Sequence, residues 1–252
     1  MSTKIAFLGQ CHTRGYAGVP RDLTFPQVCR RAVQAQRPET RVDLVLEPYE
    51  HPFELPRAVA RALRTRPDVV VIEAIGWLTV RGSEAVDLSR LPKRVRTTWQ
   101  RVRYLRSAAL QVMQKVPRAS GLIHRVETSA LHVMRSLIPR YPRSTPAEYG
   151  QSLRDALATI ARTSGTTAVV QGPGAPNLDL DGRSLAPDTL DRYRTLAHLA
   201  RTIASDEGAL FVERWDSVTR EFYLPGSIKP HARGHAIWGS LLAEQLLAAG
   251  LV

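Results

Sequence analysis

A cysteine, a histidine and a threonine stand together at Cys11, His12 and Thr13, just past Gly9 and Gln10, where the run of β-formers from Ile5 to Leu8 ends. A thiol in that place is a candidate nucleophile, because it is intrinsically reactive and needs less help from a base than a hydroxyl does. A position past a strand and at a helix amino terminus also lowers a thiol pKa, since exposed N–H groups favour the thiolate. Arg14 and His12 are its neighbours in sequence and add positive potential. A base is also required, and His231, Lys229 and His12 are the candidates. Metal binding has weaker grounds. Among the seven histidines only His231 and His235 show paired spacing on a helix, and a lone His-x-x-x-His is a weak signal. No metal and no cofactor is expected. Gly172-Pro-Gly-Ala-Pro176 has no lysine after it, so it reads as a rigid loop shaping a cleft wall rather than a phosphate cradle.

These residues need elements to position them. Lys4 to Leu8, Arg41 to Leu46, Asp68 to Ile72, Thr167 to Val170 and Ala209 to Val212 read as strands. The third, Asp-Val-Val-Val-Ile, is β-branched after its aspartate and suits burial on both faces. Helical spacing falls between them, over Phe25 to Gln36, Leu55 to Arg66, Thr145 to Arg162, Pro187 to Ala204 and Ala232 to Ala249. Ser144 or Thr145 caps the third of these, with Pro146 in its first turn. Five strands alternating with helices predict a parallel sheet covered on both faces, in a three-layer, flavodoxin-like α/β order. In such sheets ligands bind beyond the carboxyl ends of the strands, and Cys11 lies just past one.

The chain has 252 residues, 44% hydrophobic and 23% charged, which suits a single α/β domain with a sizeable core. Its net charge of +12 is not spread evenly. Arg90 to Arg143 holds 13 basic residues against Glu127 alone, so that segment accounts for the whole excess. Within it, apolar residues from Trp99 to Met113 and from Leu122 to Leu137 recur at helical spacing, separated by Pro117 and Gly121. Residues 80–143 therefore read as a basic helical hairpin, an insertion or lid over the strand ends. Two cysteines make no disulfide framework, and Cys29 reads as a small buried residue of a helix. The amino terminus runs into a strand without the pattern of a signal peptide. No apolar stretch reaches the roughly 18 residues of a membrane span, so a cytoplasmic location is expected.

The stretch Ile5-Ala-Phe-Leu-Gly-Gln-Cys-His-Thr-Arg-Gly15 resembles the first block of the SGNH, or GDSL-type, hydrolases, in which a strand leads into Gly-Asp-Ser-x-Thr-x-Gly. Gly9, Thr13 and Gly15 match, whereas Gln10 replaces the aspartate and Cys11 the nucleophilic serine. Gly226-Ser-Ile-Lys-Pro-His-Ala-Arg-Gly-His235 is similar to the family's last block, Asp-x-x-His-Pro-x-x-x-Gly-His, with Ile228, Pro230, Gly234 and His235 in register. Ser144-Thr-Pro-Ala-Glu-Tyr149 looks like the helix opening that follows the third block. The resemblance implies the SGNH fold, but the catalytic histidine falls on Lys229, the aspartate on Gly226 and the oxyanion asparagine on Trp77. The glycine donor of the second block has no counterpart after Leu46.

What the resemblance implies is therefore a divergent enzyme, performing acyl transfer or thioester or ester cleavage through Cys11. His231, two residues past the lost histidine, ranks first as base, Lys229 second and His12 third; His235 is expected to pack or cap. A thioester, more activated than an ester, tolerates the missing oxyanion donors better. Coenzyme A or an acyl carrier protein would supply such an acyl group and suit the basic segment. An anionic membrane surface is the competing use of that segment; nucleic acid ranks low, since no binding module accompanies the charge. Two other readings stay open: a catalytically lapsed fold that binds an acidic partner, and a non-hydrolytic cyclase or lyase.

Overall fold

The computed structural model describes residues 2–16, 19–49, 51–79, 144–176, 188–224 and 229–252, the side chains of Cys11, Trp77 and Arg220 excepted. They form one unit built from both ends of the chain. The reading of 80–143 as a basic helical hairpin lies outside the described residues. That segment leaves and rejoins the unit at adjacent points, since the Ser144 N–H donates to the Leu78 carbonyl at 3.2 Å.

Five strands, β1 (Ser2–Gly9), β2 (Arg41–Pro48), β3 (Val69–Glu73), β4 (Thr167–Gln171) and β5 (Leu210–Val212), make an all-parallel sheet in the order β2-β1-β3-β4-β5. Helices cover both faces, as the alternation of elements requires. On one side Ala6, Leu8, Val70, Ile72 and Val170 pack under α3 (Leu55–Leu63), α4 (Pro146–Ala161) and α5 (Thr189–Asp206). On the other, Ile5, Phe7, Val69, Val71 and Val169 pack under α2 (Phe25–Gln36) and α6 (Ala232–Ala248). All five residues of β3 are buried, which is why its sequence is apolar up to Glu73 rather than alternating. Cys29 lies buried in α2, and burial pushes its thiol up to about 12.

Local chemistry sets the helix ends. α4 opens on a capping box in which Thr145 Oγ1 accepts from the Glu148 N–H at 3.1 Å and the Glu148 carboxylate accepts from the Thr145 N–H at 2.7 Å. α3 stops at Leu63, earlier than its periodicity suggests, because Arg66 turns into the left-handed region with φ 51°. The largest local departure follows Cys11. α1 (Cys11–Arg14) is a single turn, closed at Gly15 with φ 92°. The sustained helix whose N–H groups were expected to favour a thiolate begins only at Phe25.

Candidate active site

The carboxyl ends of β1, β3 and β5 carry a buried ionic cluster. Gly9 ends β1, and the turn after it places His12 beside the end of β3. There His12 Nδ1 meets Glu73 Oε1 at 2.7 Å. The same oxygen accepts from both terminal nitrogens of Arg214, each at 3.2 Å. Arg214 follows β5, donates through Nε to the Gly172 carbonyl at 2.7 Å, and lies 4.1 Å over the Trp238 ring of α6. Glu73 and Arg214 are 1% and 2% exposed, so neither charge is shared with solvent. Burial by itself would raise the Glu73 pKa, but His12 and then Arg214 outweigh it and hold the carboxyl down to about 2. Gly9 makes the arrangement possible: a Cβ there would lie 2.6 Å from Glu73 Oε2 and 2.5 Å from Thr13 Cγ2.

The peptide after Glu73 is fixed from the opposite face. The Tyr49 hydroxyl donates to the Glu73 carbonyl and is hydrogen-bonded to Tyr149, whose own oxygen accepts from the Ile75 N–H at 3.0 Å. Burial raises the pKa of both phenols and keeps them protonated. Side chain and backbone of Glu73 are thus held independently.

Between these elements opens a small cleft. His12, Glu73 and Arg214 line it together with aromatic Tyr193, Tyr223 and Trp238 and with the loop from Pro173 to Pro176. With Nδ1 on Glu73, Nε2 is the remaining nitrogen of His12, and it makes no hydrogen bond among the described residues. Tyr223 donates to the Ala175 carbonyl at 2.5 Å and braces the loop. Glu73 Oε2, the Gln171 amide and Trp238 Nε1 are buried without a protein partner among the described residues. Gln171 is in register with Glu73 on β4, so the two share a face of the sheet.

The other sequence-derived candidates lie elsewhere. His231 was ranked first as base, and the structure corrects this: both ring nitrogens are held by backbone. Nδ1 accepts from the Arg233 N–H at 3.0 Å as the amino-terminal cap of α6, and Nε2 faces the Glu221 carbonyl at 2.9 Å. No lone pair is left to take a substrate proton. Lys229, ranked second, sets its ammonium 5.1 Å over the Tyr16 ring and does not line the cleft. His12, ranked last, is the histidine in the cleft. His235 is fully buried and joins two helices: its Nδ1 accepts from the Phe25 N–H at 3.1 Å, and its Nε2 is 2.8 Å from the Tyr16 hydroxyl. Burial first, then the charge of His12, lowers its pKa to about 3. The His231/His235 spacing therefore serves capping. Among the described residues no group of three or more His, Cys, Asp or Glu is placed to hold a metal. The side chains of Cys11 and Trp77, and Gly226 as a whole, lie outside the described residues.

Sequence reasoning missed Glu73, Arg214 and Tyr193. A carboxylate at the end of an otherwise apolar, doubly covered strand is a signal that was available. It cannot reach water without breaking the strand, so it must find a cation inside.

The fold as a whole has counterparts among solved structures. The chain is similar in structure to a carbohydrate acetylesterase from Sinorhizobium meliloti, at 11% identity and TM-score 0.60, over 98% of this chain and 99% of that one. It is similar to a lipase/acylhydrolase from Enterococcus faecalis, at 14% identity and TM-score 0.58, over 98% and 96% of the two chains. A chain from Desulfitobacterium hafniense assigned to the G-D-S-L family of lipolytic proteins matches at 15% identity and TM-score 0.53, over 97% and 99%. The architecture is the SGNH-hydrolase fold. No protein-family model matches the sequence, and no curated protein matches it. Among the described residues no helix is long and apolar enough to cross a membrane.

Proposed function

We propose that this chain is an SGNH-like enzyme that catalyses acyl transfer or thioester or ester hydrolysis, with Cys11 as nucleophile and His12 as acid and base. The observation that carries the reading is the His12–Glu73 contact of 2.7 Å, buttressed by Arg214, at the mouth of a cleft beyond the strand ends. A nitrogen base fixed through its second nitrogen to a buried carboxylate is the arrangement that acyl-transfer chemistry needs. The ester-cleaving activities named for structures of the same fold agree with it.

In this reading the thiol proton passes from Cys11 to His12 Nε2. The thiolate attacks the acyl carbon, a C–S bond forms, and the carbonyl π pair moves onto oxygen. Return of that pair breaks the bond to the leaving thiol or alcohol, which takes the proton from His12. Water, or an acceptor hydroxyl or amine, then gives a proton to His12 Nε2 and bonds to the acyl carbon; the C–S bond breaks, and the departing Cys11 sulfur takes that proton back, restoring the thiol and the neutral imidazole. Throughout, Glu73 keeps the imidazole oriented and balances its charge, while Arg214 keeps Glu73 ionised.

Acyl groups carried on coenzyme A or on an acyl carrier protein fit this reading, since a thioester needs the least activation and the basic segment from Arg90 to Arg143 favours an anionic carrier. The test is intact-protein mass spectrometry after incubation with acetyl-coenzyme A or p-nitrophenyl acetate. The wild type gains one acetyl group that Cys11→Ala does not gain, and His12→Ala slows its release. Equal labelling of wild type and Cys11→Ala would overturn the assignment.

A further inference from the structure

We propose that Tyr193 supplies the side-chain hydrogen bond that holds the substrate's carbonyl oxygen as it becomes an oxyanion; the inference rests on the acyl-transfer reading. The resemblance to the SGNH hydrolases leaves the oxyanion asparagine replaced by Trp77 and the glycine donor absent, so the site is short of donors on the sequence alone.

The five described tyrosines divide sharply. Tyr16, Tyr49, Tyr149 and Tyr223 all direct their hydroxyls at protein groups: Tyr16 at the Pro230 carbonyl, Tyr49 and Tyr149 at the Glu73 carbonyl, Tyr223 at the Ala175 carbonyl. Tyr193 is 6% exposed, yet its hydroxyl makes no hydrogen bond in the described structure. It lines the cleft that holds His12 and Arg214. A hydroxyl with no protein partner on a side chain that lines a cleft is one that a ligand or water there can complete.

Its placement is built rather than incidental. α5 carries Tyr193 against the turn after β3, and the ring rests directly on Gly76: a Cβ at Gly76 would fall 2.4 Å from the ring's Cδ1 and Cε1 and 2.9 Å from Cζ. Gly76 immediately precedes Trp77, the position that the family pattern gives to its asparagine donor. A residue from a different helix thus enters the space beside the lost donor. Burial first, and the neighbouring Tyr223 second, raise the phenol's pKa against the opposing pull of Arg214. At neutral pH the group is a proton-bearing donor and not a competing anion. This suits an oxygen that acquires charge only in the transition state.

The experiment follows acylation by p-nitrophenyl acetate, read as p-nitrophenolate release, in wild type, Tyr193→Phe and Cys11→Ala. Thermal unfolding of each is recorded in parallel. Tyr193→Phe removes one oxygen and keeps the ring on Gly76, so the melting temperature stays at the wild-type value. The expected result is a fall in kcat of about a hundred- to a thousand-fold, with KM close to wild type. A rate within about twofold of wild type for Tyr193→Phe, with Cys11→Ala inactive, overturns the role of Tyr193 and leaves the Cys11 assignment standing. Wild type and Cys11→Ala indistinguishable in rate overturns the Cys11 assignment, and the role of Tyr193 with it.

Discussion

Mild acid should destabilise this protein through one residue. His235 is fully buried, with Nδ1 taken by the Phe25 N–H, Nε2 against the Tyr16 hydroxyl, and the rings of His12, Phe25 and Trp238 around it. Its environment also holds the charges of Glu73, Arg214 and His231, of which only Glu73 favours protonation. The unfolded chain takes up the proton near pH 6.5, whereas the folded chain does so only at about 3. Between those values the unfolded state holds the extra proton, so stability falls as the pH falls. The slope is half-developed at pH 6.5 and approaches 1.4 kcal/mol per pH unit below it, which gives a loss of about 2 kcal/mol from pH 6.5 to 4.5. Glu73 adds nothing in that window. Its stabilisation is fully present above 4.5, and about 3 kcal/mol is lost as the pH falls toward 2. The assay is urea unfolding followed by tryptophan fluorescence at the two ends of the window, in wild type and in His235→Asn. Asparagine can still accept from the Phe25 N–H but does not titrate. The variant should show a constant offset of about 1 kcal/mol from the lost Tyr16 contact and a pH-dependent loss of under about 1 kcal/mol. An equal acid-induced loss in wild type and His235→Asn would refute the argument.

Glu73→Gln leaves Arg214 buried against a neutral amide, so unfolding measurements should show a cost of about 3–5 kcal/mol, along with loss of turnover as His12 loses its partner. Gly9→Ala places a methyl 2.6 Å from Glu73 Oε2; a loss of about 1–3 kcal/mol in denaturant unfolding and at least a tenfold drop in rate are expected, and unchanged kinetics would show that Glu73 can shift without consequence. Thr145→Ala removes half of the α4 capping box and should cost about 1 kcal/mol in thermal unfolding while leaving the rate alone.

The elements were legible because strand and helix periods in this chain are strong and consistent. Phe25 to Gln36 is a helix in both descriptions, and five strands alternate with helices as expected. Pattern reading fails where a residue's meaning depends on a distant partner. Glu73 and Arg214 lie 141 positions apart. Neither has a local periodicity that marks it, and only the parallel order of β3, β4 and β5 brings them together. His231 was misjudged for the reverse reason. Its closeness in sequence to the expected histidine position suggested reach into the site, but position 231 is the cap of α6 and its ring is turned onto backbone. That His12 turns onto Glu73 could not be read from spacing, because a one-turn helix has no periodicity to fix the direction of a side chain.

The hydrogen bond between Leu78 and Ser144 makes that junction a port at which chain length is nearly free. Where exit and return already touch, each doubling of the intervening segment adds only about 0.6 kcal/mol of closure entropy. The sheet therefore places little constraint on what is carried there, and the segment can diverge in length and charge without disturbing Glu73, five residues upstream of the exit.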